Sequence, residues 1–127
     1  MANVSDVKSK LFKAVAADPN GICAAQTTSG AADLSLDGAQ VTSGVAADGS
    51  NMASTVTITS AGSDESGDDF EVVGTDANGD AQTESSITGP GTSATVTTTA
   101  AFLTVTTVSV DGALTGNVTV GFTATST

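Results

Sequence analysis

Ser54-Thr55-Val56-Thr57-Ile58-Thr59-Ser60 alternates apolar and hydroxyl-bearing residues. A period of two puts Val56 and Ile58 on one face of a strand and the three threonines on the other. β-Branched side chains suit that pleated, half-buried setting. The pattern continues toward the C-terminus. Phe70, Val72 and Val73 follow an acidic loop from Ser63 to Asp69, and Asn78-Gly79 stands between residues 70–75 and 81–87. That arrangement predicts a β-hairpin. Gly89-Pro90-Gly91 breaks the chain, and residues 94–99, 102–110 and 117–123 read as further strands. The last two are joined through Asp111-Gly112 and Gly116. Apolar residues fall on both parities of 102–110, so both faces of that strand are expected to be partly covered. About seven short strands with regular turn signals predict a mostly β protein, an immunoglobulin-like β-sandwich. A jelly roll or small barrel shares this strand pattern.

Toward the N-terminus the pattern changes. Residues 22–53 are rich in Ala, Gly, Ser and Thr and read as a connecting segment with short strands. Asp33-Leu34-Ser35-Leu36 alternates and ends at Asp37-Gly38, Gln40-Val41-Thr42 offers another piece, and residues 42–51 read as an exposed loop. Residues 4–17 predict a helix: Val4, Val7, Leu11, Ala14 and Val15 recur at three- and four-residue steps. Asn3 can cap it, Asp6 stands in a capping-box position, and Asp18-Pro19-Asn20-Gly21 stops it. A helix this short must dock on something. The chain therefore divides into an N-terminal helix or arm (1–21), the connecting segment (22–53) and a sandwich body (54–127).

The 127 residues supply one modest core. Four Phe are the only aromatics, so Val, Ile, Leu and Ala must fill it, and so light a core invites oligomerisation or docking on a larger assembly. Charge narrows the partners. The formal net charge is −11, from 14 acidic and 3 basic residues. Lys8, Lys10 and Lys13 are the cations, and every acid but Asp6 lies beyond them. A body without Lys or Arg cannot neutralise phosphates, so neither nucleic acid nor an anionic membrane is an expected partner. No signal-peptide h-region and no apolar run of roughly 18 residues is present, which predicts a soluble protein. Cys23 is the one cysteine, so no internal disulfide forms, in keeping with assembly in a reducing cytoplasm.

The chain contains no His, which excludes Ser-His-Asp and Cys-His nucleophile systems. Asp68, Asp69 and Glu71 flank Phe70 and offer paired carboxylates, but the aromatics that stack on sugar rings are almost absent. No enzyme and no cofactor is expected. Asp76-Ala77-Asn78-Gly79-Asp80 places oxygens at alternate positions as a calcium loop does. An EF-hand needs glycine at its sixth position and Glu at its twelfth. Here glycine is fourth and the twelfth residue is Ile87, so a hairpin turn is the better reading. Asp64, Asp68 and Asp69 form a second acidic loop that reads as solvated. Weak cation binding is therefore assigned to Asp64, Asp68, Asp69, Asp76, Asn78 and Asp80, and no firm metal site is expected. Cys23 has no cation nearby in sequence to lower its pKa and reads as a small half-buried apolar residue.

The order Val56-Thr57-Ile58-Thr59-Ser60-Ala61-Gly62, Phe70-Glu71-Val72-Val73-Gly74-Thr75-Asp76-Ala77-Asn78-Gly79, Ala81-Gln82-Thr83-Glu84, Ile87-Thr88-Gly89-Pro90, Phe102-Leu103-Thr104-Val105-Thr106-Thr107-Val108 and Gly116-Asn117-Val118-Thr119-Val120-Gly121 resembles a family of small β-sandwich virion proteins of tailed bacteriophages, the head decoration or cement proteins. The opening, Val4-Ser5-Asp6-Val7-Lys8 and Leu11-Phe12-Lys13-Ala14-Val15-Ala16-Ala17-Asp18-Pro19-Asn20-Gly21, is similar to the start of such proteins, so the resemblance spans nearly the whole chain. It implies a capsid decoration protein that binds the outside of the major capsid protein shell, as a trimer, and stabilises it. Val7, Lys8, Lys10, Leu11, Phe12 and Lys13 are the expected contacts with the shell or an adjacent copy. Tail, neck or fibre modules share this sandwich, and a cation-dependent adhesive module is the alternative from another class.

Overall fold

The computed structural model describes residues 12–125. Ten strands build two antiparallel sheets packed as a sandwich. They are β1 (Asp18–Gln26), β2 (Ala32–Asp33), β3 (Val41–Thr42), β4 (Val45–Ala46), β5 (Ser54–Ser60), β6 (Asp69–Thr75), β7 (Ala81–Thr88), β8 (Thr95–Phe102), β9 (Thr104–Val110) and β10 (Val118–Phe122). The first sheet has the order β1-β10-β5-β8. The second has the order β3-β4-β9-β6-β7, with β2 beside β9.

β5 alternates as its sequence demands: Val56 and Ile58 are fully buried, and the threonines between them face outward. The inward residues of both sheets form one cluster that includes Ile22, Phe70, Val72, Phe102, Val105, Val108, Val118, Val120 and Phe122. Each such side chain contributes about 1.5–3 kcal/mol by leaving water. The 76–80 hairpin forms where Asn78-Gly79 predicts it, with Gly79 at φ 84°. A left-handed residue there costs glycine little.

The strand expected over 102–110 is two strands. β8 ends at Phe102 in the first sheet, the chain crosses at Leu103, and β9 begins in the second. The mixed parity comes from a bulge rather than from two covered faces. Val73 pairs Thr107 while Gly74 pairs Val105, so β9 gains a residue, and Val105, Val108 and Val110 all turn inward. The backbone of Thr104 comes so close to Gly74 that a Cβ there has no room.

Residues 22–53 belong to the sandwich. β1 pairs β10, β2 and β4 both pair β9, and Leu34 and Ala46 are buried. The loop expected over 42–51 thus contains a strand. Two-residue strands such as Ala32–Asp33, Val41–Thr42 and Val45–Ala46 carry too little periodicity to be seen in sequence.

The helix expected over 4–17 is absent from its described part. Residues 12–17 contain no helical turn, and Val15 forms a bridge with Thr125 through Val15 N–H to Thr125 O (3.1 Å) and Thr125 N–H to Val15 O (2.9 Å). Pairing with the C-terminal segment satisfies backbone groups that a marginal short helix would otherwise have to pair internally. Residues 4–11 lie outside the described part.

Both open sides of the sandwich are laced. On one, the Glu84 carboxylate of β7 accepts from the Thr99 and Ala100 N–H groups of β8 (3.0 and 2.7 Å), and Gln82 Nε2 donates to Ala101 O (2.6 Å). On the other, Gly38 N–H donates to Ile22 O (3.0 Å), Gln40 N–H to Gly21 O (2.9 Å) and Ala24 N–H to Asp37 Oδ1 (2.9 Å). Covered edges give neighbouring chains little to pair with.

Candidate functional site

The antiparallel registers place most loops at one of two ends. β5 begins beside Phe102 and Phe122 and ends beside Thr95 and Val118. The first of these ends, the terminal end, also holds Lys13, Ser50, the Val15–Thr125 bridge and the 76–80 hairpin. The other, the loop end, holds residues 61–68, 89–94 and 111–117.

Lys13 is exposed at the terminal end and is held by its N–H to Ser50 O (3.3 Å). Phe12 beside it is 49% exposed. Val7, Lys8, Lys10 and Leu11 lie outside the described residues. Lys8 and Lys10 precede Lys13 by five and three residues in sequence.

The two acidic motifs do not meet. Asp64, Asp68 and Asp69 lie at the loop end, and Asp76, Asn78 and Asp80 at the terminal end. About seven residues of strand, roughly 23 Å, separate them. Among the described residues no three Asp, Glu or Cys side chains converge on a position that could hold a metal ion. Many carboxylates instead accept hydrogen bonds from the protein's own backbone. Asp76 Oδ1 accepts from Asn78 N–H (2.8 Å) and Asp80 N–H (3.0 Å), closing the hairpin. Asp111 Oδ1 accepts from Asp69 N–H (2.9 Å) and ties two loops. Asp64 Oδ1 accepts from the Ser66 hydroxyl (2.6 Å) and N–H (3.0 Å), and the hydroxyl, then the N–H, hold its carboxyl below the usual aspartate range.

Glu65 is a carboxylate that sequence reading missed. It is 1% exposed and accepts from Thr115 N–H (2.9 Å) and Gly116 N–H (2.7 Å), so it fastens the 111–117 loop across the sandwich end. Its neighbours in sequence are acidic and polar, and nothing in that run marks it as inward. Cys23 is fully buried, beyond the half burial expected. Burial, and secondarily the charge of Asp37, push its thiol up to about 12, so it packs as a small apolar side chain.

A second surface also escaped the sequence reading. Thr55, Thr57, Thr59, Thr95, Thr97, Thr119 and Thr123 stand in adjacent rows on the outer face of the first sheet. The signal, threonine at alternate positions, was legible, but which strands lie side by side was not. On the second sheet a shallow depression of about 280 Å³ runs between Asp69, Glu71, Ser85, Ser86 and Asp111. Ser85 donates to Glu71 Oε2 there (2.7 Å).

Comparison with family models, curated proteins and solved structures finds no match for this chain.

Proposed function

We propose that this chain is a non-catalytic structural protein, a capsid decoration protein that attaches to the outside of a major capsid protein shell and stiffens it. The observation that carries the reading is where the basic handle sits. Lys13 and the exposed Phe12 stand at the terminal end of the sandwich, and Lys8 and Lys10 lie within five residues of Lys13 in sequence. Beyond them the body carries 13 carboxylates and no cation. A short basic and apolar segment on an acidic, laced sandwich suits attachment by one end. Each attached copy buries surface across a subunit boundary and raises the free energy of separating it. The family resemblance supports the capsid and the trimeric arrangement at local three-fold positions.

We also infer an immunoglobulin-like arrangement of the central strands. β5 pairs β8 in one sheet and β6 pairs β9 in the other, as strands B and E and strands C and F do in that fold. β10 departs from it by pairing β5 rather than β9.

The test is sedimentation of the purified protein with phage heads that lack it. Saturable binding at hundreds of copies per head is expected. Binding at about a dozen or fewer would move the protein to the neck or tail, and no binding would defeat the attachment reading. Replacing Lys8, Lys10 and Lys13 together by Glu should weaken binding at least tenfold and leave the melting temperature unchanged. Unchanged affinity in that variant would remove the electrostatic part of the proposal.

A further inference from the structure

The outer face of the first sheet differs from the rest of this acidic molecule. In its four strands the one carboxylate is Asp18, at the terminal end, whereas the strands of the second sheet carry Asp33, Asp69, Glu71 and Glu84. Register fixes the surface in rows: Thr119, Thr59 and Thr95 in one, and Thr57 and Thr97 in the next, where the backbone of Asp18 and Pro19 lies over the neighbouring Gly121. Several hydroxyls already have partners within the sheet. Thr59 and Thr95 share a bond of 2.9 Å, Thr55 and Thr123 one of 3.0 Å, and Thr57 donates to Gly121 O at 3.2 Å. A hydroxyl with a partner loses less when water leaves than an orphaned one. The face therefore dries at a lower cost than its composition suggests. On it lies a depression of about 310 Å³ lined by Ala17, Pro19, Thr57, Thr59, Thr95 and Phe122.

We propose that this threonine face is where one copy of the chain contacts a second copy, face to face. Charge selects the occupant. Two bodies of the same strong negative charge repel wherever their carboxylates meet, and this broad face lets them touch without opposing carboxylates. Size sets the strength. Outside the Asp18–Pro19 cover the face spans about three strands, spaced about 4.8 Å apart and about six residues long, or roughly 290 Å². That is about a third of the ~800 Å² per partner found in stable complexes. The contact is weak in free solution and becomes effective where copies are held side by side at high local concentration. It does not depend on capsid attachment, so either proposal can fail without the other.

Sedimentation equilibrium of the full chain tests it. Reversible dimerisation with a Kd in roughly the millimolar range is expected, several-fold tighter at high salt because screening removes the mutual repulsion. The double variant Thr57→Asp, Thr97→Asp should weaken it at least tenfold. Thr83→Asp, on the outer face of the second sheet, should leave it unchanged. Amide shifts of the unmodified protein on dilution, read by NMR, should concentrate at Thr57, Thr59, Thr95 and Thr97, which keeps the test valid if the double variant misfolds. A monomer at every concentration, or dilution shifts elsewhere, would overturn the proposal. So would association that weakens with salt, because that is the signature of the lysine segment meeting an acidic surface.

Discussion

β5 reads Ser-Thr-Val-Thr-Ile-Thr-Ser, and its neighbour β8 reads Thr-Val-Thr-Thr-Thr-Ala-Ala-Phe. The letters are nearly the same, and the two strands lie side by side in one sheet. β5 alternates without a fault and is held by burial of Val56 and Ile58 on its inner side. β8 does not. Thr57 pairs Thr97 and Thr55 pairs Ala101, so two steps along β5 face four along β8. The resulting bulge is held by polar side chains. Buried Thr98 turns its hydroxyl to accept from Val56 N–H (2.9 Å) and donate to Ala100 O (2.7 Å), while Glu84 accepts from the next two N–H groups. The difference teaches that Thr and Val make a strand, and that individual polar contacts decide where it deviates.

The comparison breaks first at its apolar member. Ile58→Ala removes a fully buried side chain and leaves a cavity between the sheets, with an expected loss of about 3 kcal/mol. Urea unfolding would measure it, and a loss under about 1 kcal/mol would mean that burial does not hold β5. Next is Thr98→Val, which keeps the shape but removes the hydroxyl from a buried site. Val56 N–H is then orphaned, and the expected cost is about 2 kcal/mol. Thr97→Val, one residue earlier and exposed, should stay within about 0.5 kcal/mol. Equal effects at 97 and 98 would show that the bulge has no polar anchor.

The same contrast explains what could be read in advance. β5, β6 and the 76–80 hairpin were legible because period-two alternation and an Asn-Gly turn are local signals. The break at Leu103 and the bulge in β9 were not. Both depend on which strand lies opposite, and residues 102–110 have the composition of one continuous strand. The expected helix failed for a related reason. Val15 fits an apolar helical stripe and a strand bridge equally well, and its partner, Thr125, lies 110 residues away. At the site, Lys13 and Phe12 were visible as a basic and apolar opening. The use of Glu65 and Glu84 as backbone caps was not visible, because in sequence a capping carboxylate looks like a solvated one.

Glu84 sharpens the comparison further, since it reaches β8 from the other sheet. Glu84→Ala removes both bonds to the bulge, but Thr99 N–H lies where water can replace the carboxylate. The expected cost is about 1 kcal/mol, below that of Thr98→Val. Hydrogen exchange should show the change locally, with faster exchange at Thr99 and Ala100 and none at Ile58. Uniformly faster exchange would mean that Glu84 supports the whole sandwich rather than the seam.

The smallest effect belongs to Asp64, a carboxylate with no strand to hold. The Ser66 hydroxyl and N–H stabilise its charged form and lower its pKa from the ordinary 3.8. A lowered folded-state pKa means that the folded protein releases this proton more readily than the unfolded chain does. The resulting stabilisation is present above the unfolded value and is lost as pH falls through the folded one. The group is fully exposed, so solvent screens the contribution, and it should hardly move the melting temperature. An NMR titration of the Asp64 carboxyl carbon would detect it directly. Its midpoint should lie below 3.8 and move back up in Ser66→Ala, where the hydroxyl is lost and the N–H contact stays. A midpoint unmoved by that substitution would leave the N–H as the main cause. The Asp64 turn would then resemble the 76–80 hairpin, where backbone N–H groups supply the contacts to Asp76.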